Sequence, residues 1–295
     1  MNEDLSELTP LAGGWSGETF LAQAAGERSV VRIYARPGDR GEHAAEIDAA
    51  LLRLVRGLVP VADVLEVRRA VPEADVPAML VTAFVEGERG DVLLPTLNQA
   101  GLATLGRDVG RLVATLAGMP TLESGTFRDG TLAVEPFTLD LSEWVDQHAA
   151  AYAHWTADER AGLAEVADTA QDLLDTVGRT CLVHSDFNSK NLIVDPETLT
   201  VTALLDWEFA HSGHPCTDLG NVLRFERHPA WVEAVVTAYV DRHGGDPAET
   251  VELAHSADMW ALVGLAARRG ANPVADRAHD LLRAIAARRN VHVTT

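Results

Sequence analysis

Lysine is almost missing from this chain. Of its 24 basic side chains only Lys190 is lysine, and the rest are arginine. A Gly-x4-Gly-Lys-Ser/Thr phosphate loop is therefore excluded, because Lys190 is followed by Asn191. The nearest approach to a serine-hydrolase Gly-x-Ser-x-Gly elbow, Gly14-Trp15-Ser16-Gly17-Glu18, also fails. Two cysteines cannot build a disulfide framework, which suits a reducing cytoplasm. No uninterrupted apolar run approaches the ~18 residues of a membrane span. The acidic opening "MNEDLSELTP" has no apolar stretch, so no secretory signal is expected. Positive charge is scarce overall. A net charge of -20 argues against nucleic acid and anionic membranes as partners.

Hydrophobic content of 47% over 295 residues is ample for a folded core. The first 87 residues read as mainly β with one helix. "TFLAQA" and "SVVRIYA" flank a turn at Gly26 and predict a hairpin. Ile47, Leu51, Leu54 and Leu58 recur at helical spacing, which predicts a helix over 41–58. "VADVLEVRRA" and "PAMLVTAFVEG" read as further strands. Residues 88–295 read as mostly helical. One amphipathic helix is marked by Leu97, Leu102, Leu105, Val109, Leu112, Val113 and Leu116. Asp129-Gly130 predicts a small hairpin. Thr156 to Glu159 forms a capping box that opens a helix to about Val177. Helices near 216–226, 230–243, 250–269 and 273–289 close the chain. The expected division is 1–87 and 88–295.

"CLVHSDFNSKNLIVD", Cys181 to Asp195, interrupts two apolar strands with a polar loop. Loops between short strands hold side chains rigidly while exposing them. Asp186, Asn191 five residues on, and Asp206 at the end of the next apolar strand are hard oxygen donors suited to Mg²⁺ with phosphates. The spacing His184-x-Asp186-x4-Asn191, followed by Asp206, matches the catalytic loop and metal aspartate of protein kinases. Zinc is a weaker reading of Cys181, His184, His211, His214 and Cys216, since a buried cysteine beginning a strand is ordinary.

"HSDFNSKNLIV" followed by "ALLDWEFA" resembles the aminoglycoside phosphotransferase family, small-molecule relatives of the protein kinases. Ser185 stands where that family usually has glycine. The resemblance implies an α+β, two-lobed protein-kinase-like fold, with a small β-rich N-lobe, a larger helical C-lobe and nucleotide in the cleft. It implies that Asp186 orients the acceptor hydroxyl and takes its proton, and that Asn191 and Asp206 hold Mg²⁺. By the same resemblance His184 braces the loop and Asp218 steadies it.

A kinase needs a cation on the donor phosphates, and no lysine precedes Lys190. Arg32 occupies the expected strand and can reach two phosphate oxygens at once. The helix carboxylate expected beside it is Glu46, with Glu42 and Asp48 left open by the spacing. Gly14, Ser16 and Gly17 of "GGWSGET" fall where the family places its phosphate-covering loop. The adenine is expected against backbone at Thr82, Ala83, Phe84 and Val85.

The implied reaction moves the γ-phosphoryl group of ATP or GTP to a hydroxyl of a small cationic antibiotic, an aminoglycoside or a viomycin- or capreomycin-type peptide. Glu208, Glu233, Asp241 and Asp258 are the candidate acceptor carboxylates, and Trp231 and Trp260 could add cation-π contact. The alternatives are a macrolide kinase, a metabolic kinase for choline, a sugar amine or homoserine, and a catalytically silent nucleotide binder. The expected state is a cytoplasmic monomer or weak dimer.

Overall fold

The structure, a computed structural model, describes residues 7–11, 18–24, 26–35 and 40–293. It divides into two compact units that are not contiguous in sequence. The first holds the described residues up to Thr96 together with Gly125–Glu135 and Ser189–Ala210; the second holds Leu97–Ser124, Pro136–Asn188 and the described residues from His211 on. The reading from sequence placed one cut after residue 87. The segment Ser189–Ala210 clusters with the first unit instead.

In the first unit β1 (Glu7–Pro10), β2 (Glu18–Ala24), β3 (Glu27–Tyr34), β4 (Val64–Arg68) and β5 (Ala78–Ala83) form an antiparallel sheet ordered β1-β2-β3-β5-β4. The β2–β3 turn passes through Gly26 at φ 83°, a left-handed backbone that glycine adopts without steric cost. Helix α1 (Ala44–Val55) crosses next, preceded by a 3-10 turn at Gly41–His43. It is shorter than the spacing predicts. Ile47 and Leu51 are fully buried, but Leu54 and Leu58 are about half exposed at 48% and 54%. Asp48 takes the inward place instead, at 3% exposure. A short strand β6 (Glu88–Arg89) leads into α2 (Gly90–Leu93).

The second unit opens with α3 (Gln99–Ala117), capped by Asn98, and continues through β7 (Pro120–Thr121). Next in sequence is the hairpin β8–β9 (Gly125–Phe127, Val134–Pro136), which up to Glu135 belongs to the first unit, its tip carrying Asp129-Gly130 as expected. Then come α4 (Leu141–Gln147) and α5 (Ala157–Leu174). The α5 cap is the predicted box: Thr156 Oγ1 accepts from Glu159 N, and Glu159 Oε2 accepts from Thr156 N at 2.8 Å. Strand β10 (Thr180–Val183) ends at the polar loop. Beyond the loop, β11 (Leu192–Asp195) and β12 (Thr200–Leu204) form a hairpin in the first unit, with β6 paired to β11. Strand β13 (His211–Gly213) pairs with β10, and α6 (Thr217–Leu223), α7 (Pro229–His243), α8 (Pro247–Ala266) and α9 (Pro273–Arg288) complete the helical unit.

Its core lies among α4, α5, α8 and α9, where Leu141, Tyr152, Leu163, Val263 and Leu282 are almost wholly buried. Each such side chain contributes about 1.5–3 kcal/mol by leaving water. Helices α3 and α7 pack closely because Gly110 has no side chain: a Cβ there would lie 2.4 Å from the Val235 carbonyl oxygen. Among the described residues no helix is long and apolar enough to cross a membrane.

Candidate active site

The polar loop begins in the second unit, directly after β10. His184 is fully buried, and its Nδ1 accepts from Asp186 N at 3.3 Å. Asp186 is half-buried, and its Oδ1 accepts from Asn188 Nδ2 at 2.7 Å. The backbone before it is pinned from α6. Asp218 Oδ2 accepts from His184 N at 2.9 Å, and its Oδ1 from Ser185 N at 2.7 Å. Burial pushes the Asp218 carboxyl up to about 7, against the pull of those two amides. Ser185 sits at φ 64°, in the left-handed region. That is the physical reason a glycine is favoured at this place, since a side chain there costs about 1–2 kcal/mol.

Asn191 and Asp206 lie in the first unit, at the open end of the β11–β12 hairpin. Leu192 faces Leu204 in register, and Asn191 O accepts from Leu205 N at 2.8 Å. This ladder brings Asn191 to the strand end from which Asp206 follows. Asp206 has φ 63° and begins the 3-10 turn Trp207–Phe209. Trp207 is buried and donates from Nε1 to Leu204 O at 3.0 Å, which anchors that turn. An amide oxygen and a carboxylate presented together fit a hard cation that takes its remaining ligands from phosphate and water.

Arg32, in the middle of β3, reaches the same place. Its Nη1 donates to Asp206 Oδ1 at 2.8 Å and its Nη2 to Glu208 Oε2 at 2.5 Å. Burial works against its charge, but Asp206, Tyr34, Asp48 and Glu208 outweigh it and raise its pKa. Glu46, the helix carboxylate expected beside Arg32, has other partners. It meets Arg69 at 2.7 Å and His43 at 3.4 Å. Asp48, one of the alternatives, accepts from Tyr34 Oη at 2.5 Å and from Arg40 Nη1 at 2.6 Å. Arg40 Nη2 also donates to Ala210 O at 2.5 Å, tying α1 to the segment that follows Asp206. Sequence reasoning missed Tyr34 and Arg40. Their only trace was an acid, Asp48, set between the apolar Ile47 and Ala49.

Gly14, Ser16 and Gly17 lie outside the described residues. At the expected adenine position, Ala83 N donates to Asp63 O and Phe84 N to Arg28 O. Thr82 is paired within the sheet to Val30 and Val64. These strand donors are engaged, so of the four residues only Val85 follows the paired stretch.

The acceptor candidates scatter. Asp258 is 3% exposed, and both its oxygens accept from Arg224, with Nη2 at 2.6 Å. Trp231 is 2% exposed and packs over Gly106. Both belong to the interior and not to an acceptor surface. Trp260 is half-buried against Trp144, whose Nε1 donates to Trp260 O at 2.9 Å. Glu233 and Asp241 are exposed on α7, lining a groove of about 900 Å³ shared with Arg107, Arg111 and Arg242. Its lining is mixed in sign, which is no trap for a cation. Glu208 holds Arg32. The cysteines are chemically quiet: burial pushes Cys181 up to about 12 and Cys216 up to about 11. Burial likewise lowers His214 to about 4. Among the described residues no three His, Cys, Asp or Glu side chains gather as a metal cluster, so the zinc alternative has no support there.

Comparison with known proteins places this arrangement. The structure of a thermostable mutant of aminoglycoside phosphotransferase APH(4)-Ia, a ternary complex with ADP and hygromycin B, is similar with a TM-score of 0.66 at 17% identity, covering 98% of this chain and 95% of that one. The GDP complex of aminoglycoside 2'-phosphotransferase-IIIa has a TM-score of 0.69 at 14% identity, covering 96% and 93%. At such identities the likeness is one of fold, and the expected two-lobed kinase-like architecture holds. Among curated proteins, acyl-CoA dehydrogenase family member 11 of Rattus norvegicus is 30% identical over 157 residues, 46% of this chain and 20% of that protein. The human counterpart is 31% identical over 107 residues, 36% and 13%. The chain thus spans a fifth or less of the length of these relatives. The model of the phosphotransferase enzyme family, APH, matches residues 7–253, and the chain belongs to that family.

Proposed function

We propose that this phosphotransferase moves the γ-phosphoryl group of ATP or GTP to a hydroxyl of a small molecule. The observation that carries the reading is the Arg32–Asp206 pair at the end of the hairpin that also presents Asn191. A phosphate-gripping cation and two hard oxygen donors are what phosphoryl transfer requires beside a base. Asp186, five residues before Asn191, orients the acceptor hydroxyl and takes its proton as the oxygen attacks the γ-phosphorus. The bond to the β–γ bridging oxygen breaks, and the nucleoside diphosphate leaves. Arg32 grips donor phosphate oxygens with two N–H groups, which one ammonium cannot do with the same geometry. A Mg²⁺ ion held by Asn191 and Asp206 would neutralise the charge on the phosphates. Positioning supplies most of the rate.

For the acceptor, a cationic antibiotic draws support from the similar structures, one of which holds hygromycin B. Its positional support is thin, since Asp258 is buried and Glu208 is engaged by Arg32. A second reading is favoured by the sequence relatives, which are named as acyl-CoA dehydrogenase family members and stand at 30% identity or above. Their names suggest a hydroxylated acyl-CoA or acyl chain as the acceptor, and acceptor chemistry is set by the site and not by the fold. A cytoplasmic location and a monomer or weak dimer accompany both readings.

The deciding experiment is nucleotide turnover, read as diphosphate release with Mg²⁺. It is screened across hydroxyacyl-CoA thioesters, aminoglycosides, tuberactinomycins, macrolides and choline-like amines. Turnover with a thioester alone supports the second reading, and turnover with polyamines alone supports the first. No release with any acceptor, in protein shown to bind nucleotide, points to the silent nucleotide binder.

A further inference from the structure

Asp258 fails as an acceptor contact, and its surroundings give it another task. It lies on α8 where α6 crosses very closely. A Cβ on Gly220 would fall 2.2 Å from Ala254 O and 2.8 Å from Asp258 Cβ, so only glycine admits this approach. Asp258 Oδ1 accepts from Asn221 Nδ2 at 3.0 Å. At the other end of the same amide, Asn221 Oδ1 accepts from Phe187 N at 3.3 Å. Phe187 directly follows Asp186 and is fully buried, with its ring edge-on to His184. Asn221 is itself 4% exposed.

An asparagine amide has one end that accepts and one that donates, and in isolation it can face either way. An ionised carboxylate only accepts. Asp258 therefore fixes the donor end of Asn221 toward α8 and leaves its carbonyl facing the loop. Arg224 pairs with Asp258 from the same side of α6. Its Nε and Nη2 both donate to that carboxylate, at distances from 2.6 to 3.1 Å, with both residues buried. With Asp218 holding the amides of His184 and Ser185, the backbone is gripped on both sides of Asp186. Asp218 acts directly, whereas Asp258 acts through Asn221.

We propose that Asp258 is a positioning residue for the loop that carries Asp186, acting by fixing the orientation of the Asn221 amide. The proposal rests on the reading of Asp186 as the base. The test is Asp258→Asn, which keeps shape but can also donate, together with Asn221→Leu, which keeps volume and loses both bonds. Basal ADP release from MgATP and backbone amide exchange at Phe187 are measured on the full chain. Each variant is expected to lower kcat by about 10-fold or more with KM for MgATP within about 2-fold, the signature of a lost transition-state arrangement. Phe187 exchange should quicken by about 10-fold or more while core amides of α5 stay protected. The double variant should lose no more kcat than Asn221→Leu alone, since both act through one amide. A melting temperature that drops while kcat and Phe187 exchange stay at wild-type values overturns the proposal. So does full additivity in the double variant. If Asn221→Leu does not fold, Asn221→Ser replaces it, and if Asp258→Asn does not fold, Asp258→Ser replaces it, each with the same expectations. A wild-type protein without basal ADP release leaves the kinase reading to the acceptor screen, and the Phe187 exchange alone then decides the relay.

Discussion

Arg32 Nη1 lies 2.8 Å from Asp206 Oδ1, joining a strand of the sheet to the end of a hairpin 174 residues further along the chain. A cation and a candidate metal ligand thus hold each other in place, and a bound nucleotide would compete for both. Arg32→Ala should raise nucleotide KM and lower kcat, and should cost about 1.5–3 kcal/mol of stability, the range for hydrogen bonds to charged groups. Arg32→Lys should rescue only part of kcat, because an ammonium loses the fork. Steady-state kinetics with varied MgATP checks both, and wild-type constants in both variants would place the phosphate cation elsewhere.

The carboxylates on α1 separate cleanly. Glu46 faces Arg69, which is 80% exposed, so the pair is worth little. Glu46→Gln should leave nucleotide KM within about 2-fold and stability within ~0.5 kcal/mol. Asp48 is enclosed by Tyr34 and Arg40, and burial raises its pKa. Asp48→Asn should weaken nucleotide binding and destabilise by about 3–5 kcal/mol, the range for breaking a buried pair. Isothermal titration with a nonhydrolysable nucleotide and urea melts give the two numbers. A reversed order of effects would return Glu46 to the site.

Loss of the base should be severe and selective. Asp186→Ala is expected to cut kcat by about 10²–10⁴-fold, the usual scale for general acid–base catalysis, with nucleotide affinity close to wild type. A variant retaining more than about a tenth of wild-type kcat removes Asp186 from proton transfer.

Stability should depend on Asp218 in a defined pH window. Its folded pKa, about 7, stands above its ordinary value because of burial. A group raised on folding stabilises fully below its unfolded pKa, and that contribution is lost as pH rises through the folded value. The window therefore runs from about pH 4 to pH 7. Wild-type protein should lose stability across it, while Asp218→Asn should show a flatter profile at lower overall stability, because its amide cannot accept from both backbone N–H groups. Urea melts at pH 4.5, 6 and 7.5 (values of about this spacing suffice) test the slope. Equal slopes in the two proteins would refute the assignment.

Strain at Ser185 is removable. With φ at 64°, the position carries a side chain where glycine has none to accommodate. Ser185→Gly should stabilise the loop by up to about 1 kcal/mol, the gain from strain relief less the added freedom of the unfolded chain. Activity should be retained, because Ser185 contributes its backbone N–H to Asp218 and glycine keeps that group. A large drop in kcat would show that the hydroxyl has a role of its own.

What the sequence determined by itself was local. The Gly26 hairpin, the Thr156–Glu159 capping box and the helical period through Leu105, Val109 and Leu116 depend on near neighbours, and each stands in the structure. The His184-x-Asp186-x4-Asn191 spacing was equally legible, because covalent geometry fixes how far apart such groups can lie. Tertiary structure decided which charges meet. Arg32 chose Asp206 and Glu208 over Glu46, and Asp258 turned inward to Arg224 instead of outward to a ligand. A helix carboxylate has the same local signature whether it faces solvent, a ligand or a buried arginine. Only the packing of one element on another removes water from it and supplies its partner, and no pattern along the chain records which partner that is.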